Sequence, residues 1–215
     1  MLIDTYFGDI HSRTDLHLVP ESIQIDPAEP KKNLVEIPYG NGSVDLTEAL
    51  GLVTFNGRKI TWVFSLFPGD DWVEKRSEVS NALNGKRLHI TPDDDPGWYY
   101  DGRITVSGHK SDKLYHQITV EATCAPYKRR DQETVVTKSI STEFTAISCQ
   151  IGAMPLVPKI TVSQDTTLQW GDYSISVSDG SHLLPALLMQ GDQVIQAKTT
   201  EGTGTITISW REGSL

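Results

Sequence analysis

Along most of the chain, apolar and polar residues alternate one by one. In LYHQITVEA (114–122), Leu114, His116, Ile118, Val120 and Ala122 fall on one face. Tyr115, Gln117, Thr119 and Glu121 fall on the other. A period of two marks a half-buried β-strand. WYYDGRITV (98–106) precedes it, with the turn-rich SGHKSDK (107–113) between, so the two runs predict a hairpin. KITWVFSLF (59–67) is more continuously apolar, as in a strand covered on both faces.

One segment has a different period. In PGDDWVEKRSEVSNALNGK (68–86), Trp72, Arg76, Val79 and Leu83 recur at helical spacing. Asp71 followed by Glu74 fits a capping box, and Gly85 supplies a left-handed residue after the last turn. The spacing predicts one α-helix, about residues 71–84, with Trp72, Val79 and Leu83 facing a sheet.

Beyond CAPYKRRDQET (124–134) the texture changes: aromatic residues thin out, and Ser, Thr and Gly dominate. Short Ile/Val/Trp alternations are cut by turns at Gln164–Asp165, Gly171–Asp172, Asp179–Gly180 and Gly202–Gly204. Turns every 8–12 residues or so predict a β-sandwich or barrel. The charge cluster at 127–138 marks a domain boundary, giving domains of 1–130 and 131–215. The expected fold class is mainly β, with the one helix.

The 215-residue chain carries a net charge of −9. There are 13 basic and 19 acidic residues up to Lys128, and 6 and 9 beyond it, so both parts are acidic. Nucleic-acid binders show a basic excess or stripe, so sequence-specific binding of DNA is not expected. No apolar run approaches the roughly 20 residues of a membrane-spanning helix, so membrane insertion is not expected. MLIDTYFGDI lacks the basic and apolar regions of a signal peptide. Cys124 and Cys149 sit in strand-like runs without metal spacing, and are expected as buried free thiols.

EIPYGNGSVDLTEALG (36–51) is the most suggestive stretch for chemistry. As a phosphate loop it lacks a third glycine in register and a following Lys-Ser/Thr. As a nucleophile turn it reads GNGSV, not GxSxG. The turn reading fits: Pro38 and the Tyr-Gly-Asn-Gly run join NLVEI and SVDLT as a hairpin. TPDDDPGW (91–98) lacks the alternate acids, central Gly and closing Glu of a calcium loop, and reads as a solvated acidic turn. DIHSRTDLH gathers Asp9, His11, Asp15 and His17, the densest histidine–acid cluster, but without HExxH or HxH spacing. No metal, cofactor or catalytic residue is expected. Trp98, Tyr100, Trp170 and Trp210 are the candidate stacking platforms for a sugar, which would make the chain a carbohydrate-binding module.

The order of these motifs resembles the distal tail proteins of long-tailed phages that infect Gram-positive bacteria. The signs, in order, are EIPYGNGSVDLTEALG, then RKITWVFSL, the helix ending NALNGKRLHI, DDDPGWYYDGRITV, and LLMQGDQVIQAKTTEGTGTITISWREGSL at the end. The similarity spans nearly the whole chain and is better in the first half. It implies an N-terminal β-sandwich domain with one helix, whose copies assemble as a hexameric ring. It implies a C-terminal galectin-like β-sandwich. The ring would sit in the virion at the tail tip, after synthesis in the host bacterial cytoplasm. It would join the tail tube protein to tail-associated or baseplate proteins and let DNA pass, without enzymatic activity. If residues 33–47 project as a hairpin, Ile37, Pro38, Tyr39, Val44 and Leu46 are the expected ring-interface residues.

Overall fold

The computed structural model describes residues 3–49, 51–66, 70–111 and 115–215. The chain divides into two compact units, residues 1–128 with Leu215, and residues 129–214.

In the first unit the strands are β1 (Thr5–Phe7), β2 (Ile10–His11), β3 (Leu18–Ile25), β4 (Leu34–Glu36), β5 (Ser43–Asp45) and β6 (Arg58–Leu66). Helix α1 (Trp72–Leu83) follows, then β7 (Arg87–Pro92), β8 (Trp98–Ser111) and β9 (His116–Cys124). Seven of these strands lie side by side in the order β2-β1-β7-β8-β9-β6-β3. Three strands separate β1 from β6, a distance of roughly 19 Å across a flat sheet. Yet the Phe7 and Trp62 rings meet edge to face at 5.1 Å, and Trp62 Nε1–H donates to Thr5 Oγ1 at 3.1 Å. The sheet therefore curls until its inner face packs on itself. Phe7, Ile60, Trp62, Phe64, Ile104, Ile118 and Val120 fill the space between, all fully buried.

The β8–β9 hairpin forms as the alternation predicts, with Ile118, Val120 and Ala122 inside; Leu114 lies outside the described residues. β6 differs from expectation. Its Ile60, Trp62 and Phe64 are buried, but Thr61, Val63 and Ser65 on the other face are only half-buried and Lys59 is exposed. Thr and Ser at alternate positions already make this a one-sided strand.

Helix α1 is bounded by local signals. The Asp71 carboxylate accepts from the N–H groups of Val73 and Glu74, so the Asp71 half of the capping box is present. Gly85 takes φ +77° just past the end, where a side chain would be strained. Val79 and Leu83 are buried, and Trp72 packs half-buried against the same core. Trp72 also lies flat on the His116 ring at 4.9 Å.

Strand β10 (Lys128–Arg130) spans the division between the units. The second unit contains β11 (Thr134–Ile140), β12 (Thr145–Ile151), β13 (Lys159–Val162), β14 (Thr166–Trp170) and β15 (Tyr173–Val177). It continues with β16 (Gly180–Leu183), β17 (Gly191–Thr199), β18 (Gly204–Trp210) and β19 (Gly213–Ser214). Two four-stranded antiparallel sheets form, β11-β18-β13-β16 and β12-β17-β14-β15. Ile160, Val162, Ile206 and Ile208 of the first share one core with Ile147, Cys149, Leu168 and Ile195 of the second. This is sheet-on-sheet packing with alternate residues inward, a β-sandwich. The molecule is thus mainly β, and among the described residues no helix is long and apolar enough to cross a membrane.

Candidate interaction sites

Among the described residues, strands β4 and β5 pair only with each other, in the register Leu34↔Asp45, Val35↔Val44 and Glu36↔Ser43. Their stalk is closed by the bridge Pro30↔Phe55 and by bonds from Lys31 N–H to Thr54 O and from Asn56 N–H to Glu29 O. Phe55 anchors the base edge-on against Tyr127 at 5.9 Å. Further out, the Thr47 hydroxyl accepts from Asn33 N–H, and Asp45 Oδ1 accepts from Thr47 N–H at 2.9 Å. The bonds from Thr47 hold the Asp45 carboxyl below its ordinary value. At the tip, Gly40 N–H closes a turn onto Ile37 O, with Tyr39 at φ +60° and Gly42 at φ +81°. Positive φ is uncommon for a bulky residue such as tyrosine, and it turns that side chain wholly into solvent.

All five expected interface residues therefore lie on or next to one short hairpin. Ile37, Tyr39, Val44 and Leu46 are exposed apolar side chains, and Pro38 is exposed between them. Sequence reasoning missed two more, Leu34 and Val35, which are 52% and 48% exposed. The signal was present in the run NLVEI, where strand alternation alone cannot tell a covered face from an open one. Val35 and Val44 stand directly opposite as a cross-strand pair. A two-stranded ribbon is marginal in water by itself, and this one keeps six large apolar residues at its surface. Exposed apolar side chains gathered on so small an element point to an interaction site.

The four candidate sugar-stacking residues divide between the two units. Trp98 and Tyr100 belong to the first unit, Trp170 and Trp210 to the second. Tyr100 and Trp210 are buried core residues at 5% exposure and offer no ring face to a ligand. The Tyr100 ring is covered by the Arg58 guanidinium, 5.6 Å from its centroid. The Trp98 ring lies 5.2 Å from Lys128 Nζ. Trp170 packs partly into the second core and stacks on Tyr173, the one strongly exposed ring of that pair.

The acidic turn TPDDDPGW joins β7 to β8, and two of its three carboxylates are engaged. Asp95 accepts from Lys128 at 2.6 Å. Asp93 Oδ2 lies 3.3 Å from His11 Nε2. The histidine–acid cluster of the sequence is thus redistributed. His11 keeps Asp15, whose carboxylate accepts its N–H at 2.7 Å, but its ring meets Asp4 and Asp93. Asp9 is exposed in a turn, and His17 Nδ1 lies 3.9 Å from Asp70. Asp4 Oδ2 accepts from Arg13 Nε at 2.6 Å, while its Oδ1 is buried without a donor. A buried oxygen left so costs about 1–3 kcal/mol. Asp93 stands 82 residues from His11, which no local spacing reveals.

Both cysteines are free and buried. Burial pushes the Cys124 thiol up to about 12 and raises that of Cys149, so neither is a nucleophile near neutrality.

No protein-family model and no curated protein matches the sequence. Among solved structures, the fold matches the SPP1 Dit protein (gp 19.1). That crystal structure is described as a paradigm of the hub adsorption apparatus in phages infecting Gram-positive bacteria. The match covers 100% of both chains with a TM-score of 0.65, at 16% sequence identity. The likeness is therefore one of fold, carried over the full length of both chains.

Proposed function

We propose that this protein is a structural hub of a phage tail tip. In this reading it forms a hexameric ring that joins the tail tube to the baseplate or adsorption proteins and leaves a passage for DNA. The observation that carries the proposal is the end-to-end coincidence of fold with a hub protein of an adsorption apparatus. The exposed β4–β5 hairpin supports it independently. A ring requires one surface of each copy to meet a different surface of the next, and a projecting apolar hairpin is such a surface. Its place is then the virion tail, its role architectural, and its acidic balance suits a conduit that repels phosphate.

Magnitudes favour a closed assembly over a dimer. Covering what remains exposed of Leu34, Val35, Ile37, Tyr39, Val44 and Leu46 gives about 1 kcal/mol each, or about 6 kcal/mol per contact. Association costs about 4–15 kcal/mol in lost freedom. One such contact alone is weak. Closing a ring adds a final contact without bringing in another free copy. Assembly should therefore be cooperative and steep in concentration.

Light scattering across concentration, with negative-stain images of the heaviest species, tests this. Six-fold rings with a central opening are the expected result. A species of one copy at every concentration, both alone and mixed with tail tube protein, would overturn the ring.

A further inference from the structure

We infer that Asp4, His11 and Asp93 form a binding site for a single divalent cation of the zinc or manganese class, clasping the start of the chain to the β7–β8 turn. One ligand atom from each of the three lies within 4.8 Å of the others. Asp4 immediately precedes β1, His11 sits in β2, and Asp93 follows β7. The backbone holds the three segments in place before any ion binds. Tyr6 pairs with His11, Thr5 pairs with Pro92, and Asp93 N–H donates to Asp4 O at 3.0 Å.

The distances suit a small cation. Ligands at 2.0–2.2 Å from a tetrahedral zinc lie about 3.3–3.5 Å from one another. His11 Nε2 and Asp93 Oδ2 are already 3.3 Å apart. Asp4 presents an oxygen in need of a partner. Its Oδ2 accepts from Arg13, and among the described residues its Oδ1 is buried with no donor. A cation beside this carboxylate would offset the cost of that unmet oxygen. The His11 side chain is only 10% exposed, whereas Asp93 at 43% can swing to close the site. One imidazole with two carboxylates favours zinc or manganese over calcium, which takes oxygen ligands in larger number.

The histidine ring has a definite starting arrangement. Thr14 N–H donates to Nδ1 at 3.2 Å, so the hydrogen of a neutral ring sits on Nε2, facing Asp93. Binding a cation at Nε2 requires that hydrogen to reappear on Nδ1. Thr14 N–H then loses its acceptor and must turn aside, and Thr14 Oγ1, also 3.2 Å from Nδ1, takes the new N–H in its place. The exchange is balanced: one N–H is lost at Nε2, one is gained at Nδ1, and the ring stays neutral.

The experiment uses the whole chain, treated with chelator and then dialysed. Titration with zinc chloride is followed by calorimetry, and the histidine ring nitrogens are followed by 15N NMR. One zinc per chain is expected, with the His11 hydrogen passing from Nε2 to Nδ1 as it binds. Asp93→Asn keeps an acceptor at a half-exposed position and should fold. It should weaken zinc at least about tenfold. His11→Gln should abolish saturable binding, and calcium chloride at the same concentration should give none. Zinc affinity unchanged in Asp93→Asn, a His11 ring that keeps its Nε2 hydrogen, or equal binding of calcium would each overturn the site.

Discussion

Strand β6 and the β4–β5 hairpin are built from similar residues and meet opposite fates. In β6, Ile60, Trp62 and Phe64 are sealed by the curled sheet, and Trp62 adds a hydrogen bond to Thr5. In the hairpin, Val35 and Val44 face each other with nothing over them. Hydrophobic character alone does not decide burial; neighbours in the sheet do. β6 has β9 on one side and β3 on the other, so its backbone is paired and its inner face is covered. Among the described residues the hairpin has no strand neighbour beyond its own two strands. The first region stabilises the monomer, and the second leaves its apolar side chains exposed, as the proposed interface requires.

Substitutions should separate the two regions sharply. Trp62→Ala should lower unfolding free energy by about 3–5 kcal/mol in urea titrations, since it empties a large fully buried site and orphans the Thr5 hydroxyl. The Thr5→Val change, which keeps the shape but drops the bond, should cost less than the tryptophan truncation; an equal loss would shift the weight from packing to hydrogen bonding. Asp71→Ala should remove about 1 kcal/mol, because two N–H groups at the start of α1 lose their acceptor. Ile37→Asp with Tyr39→Asp should leave monomer stability within about 0.5 kcal/mol, as exposed positions do. A large loss there would place the hairpin tip in the core's cooperative unit.

The smallest effect expected is a pH dependence at the helix. Burial, then the Arg76 charge, holds the His109 imidazole below its ordinary value of 6.5. The folded chain therefore disfavours the charged ring, while the unfolded chain binds a proton more readily. Stability present above that ordinary value should fall as pH drops through it towards the lower folded value. Because the ring is largely solvated, the change should be slight. Melting curves between pH 7.5 and 5.5 check it, and His109→Gln should remove that part of the slope.

The features legible in the sequence were those set by neighbours a few residues away. Helix α1 was announced by Asp71, the Val79–Leu83 spacing and Gly85, and each acts within one or two turns. The β8–β9 hairpin and the 36–51 turn followed from alternation and turn residues. Exposure was harder to read. NLVEI looks like any strand, and only the absence of a third strand beside it reveals Leu34 and Val35 as surface. For the same reason Tyr100 and Trp210, candidates for stacking on a sugar, turned out to be core. The Asp4–His11–Asp93 group was invisible because β1 must pair with β7 before Asp93 comes near. The local cluster DIHSRTDLH shows only Asp15 near His11 in sequence, whereas Asp93 reaches it through the sheet.

The central claim is that the hairpin is an interface between copies and has little part in the fold of one copy. The most direct test is sedimentation of the native chain beside Ile37→Asp/Tyr39→Asp, over the same concentrations, with melting curves on both. The account predicts that the native chain forms a six-copy species and that the variant stays a single copy with an unchanged melting temperature. A variant that assembles like the native chain would contradict it.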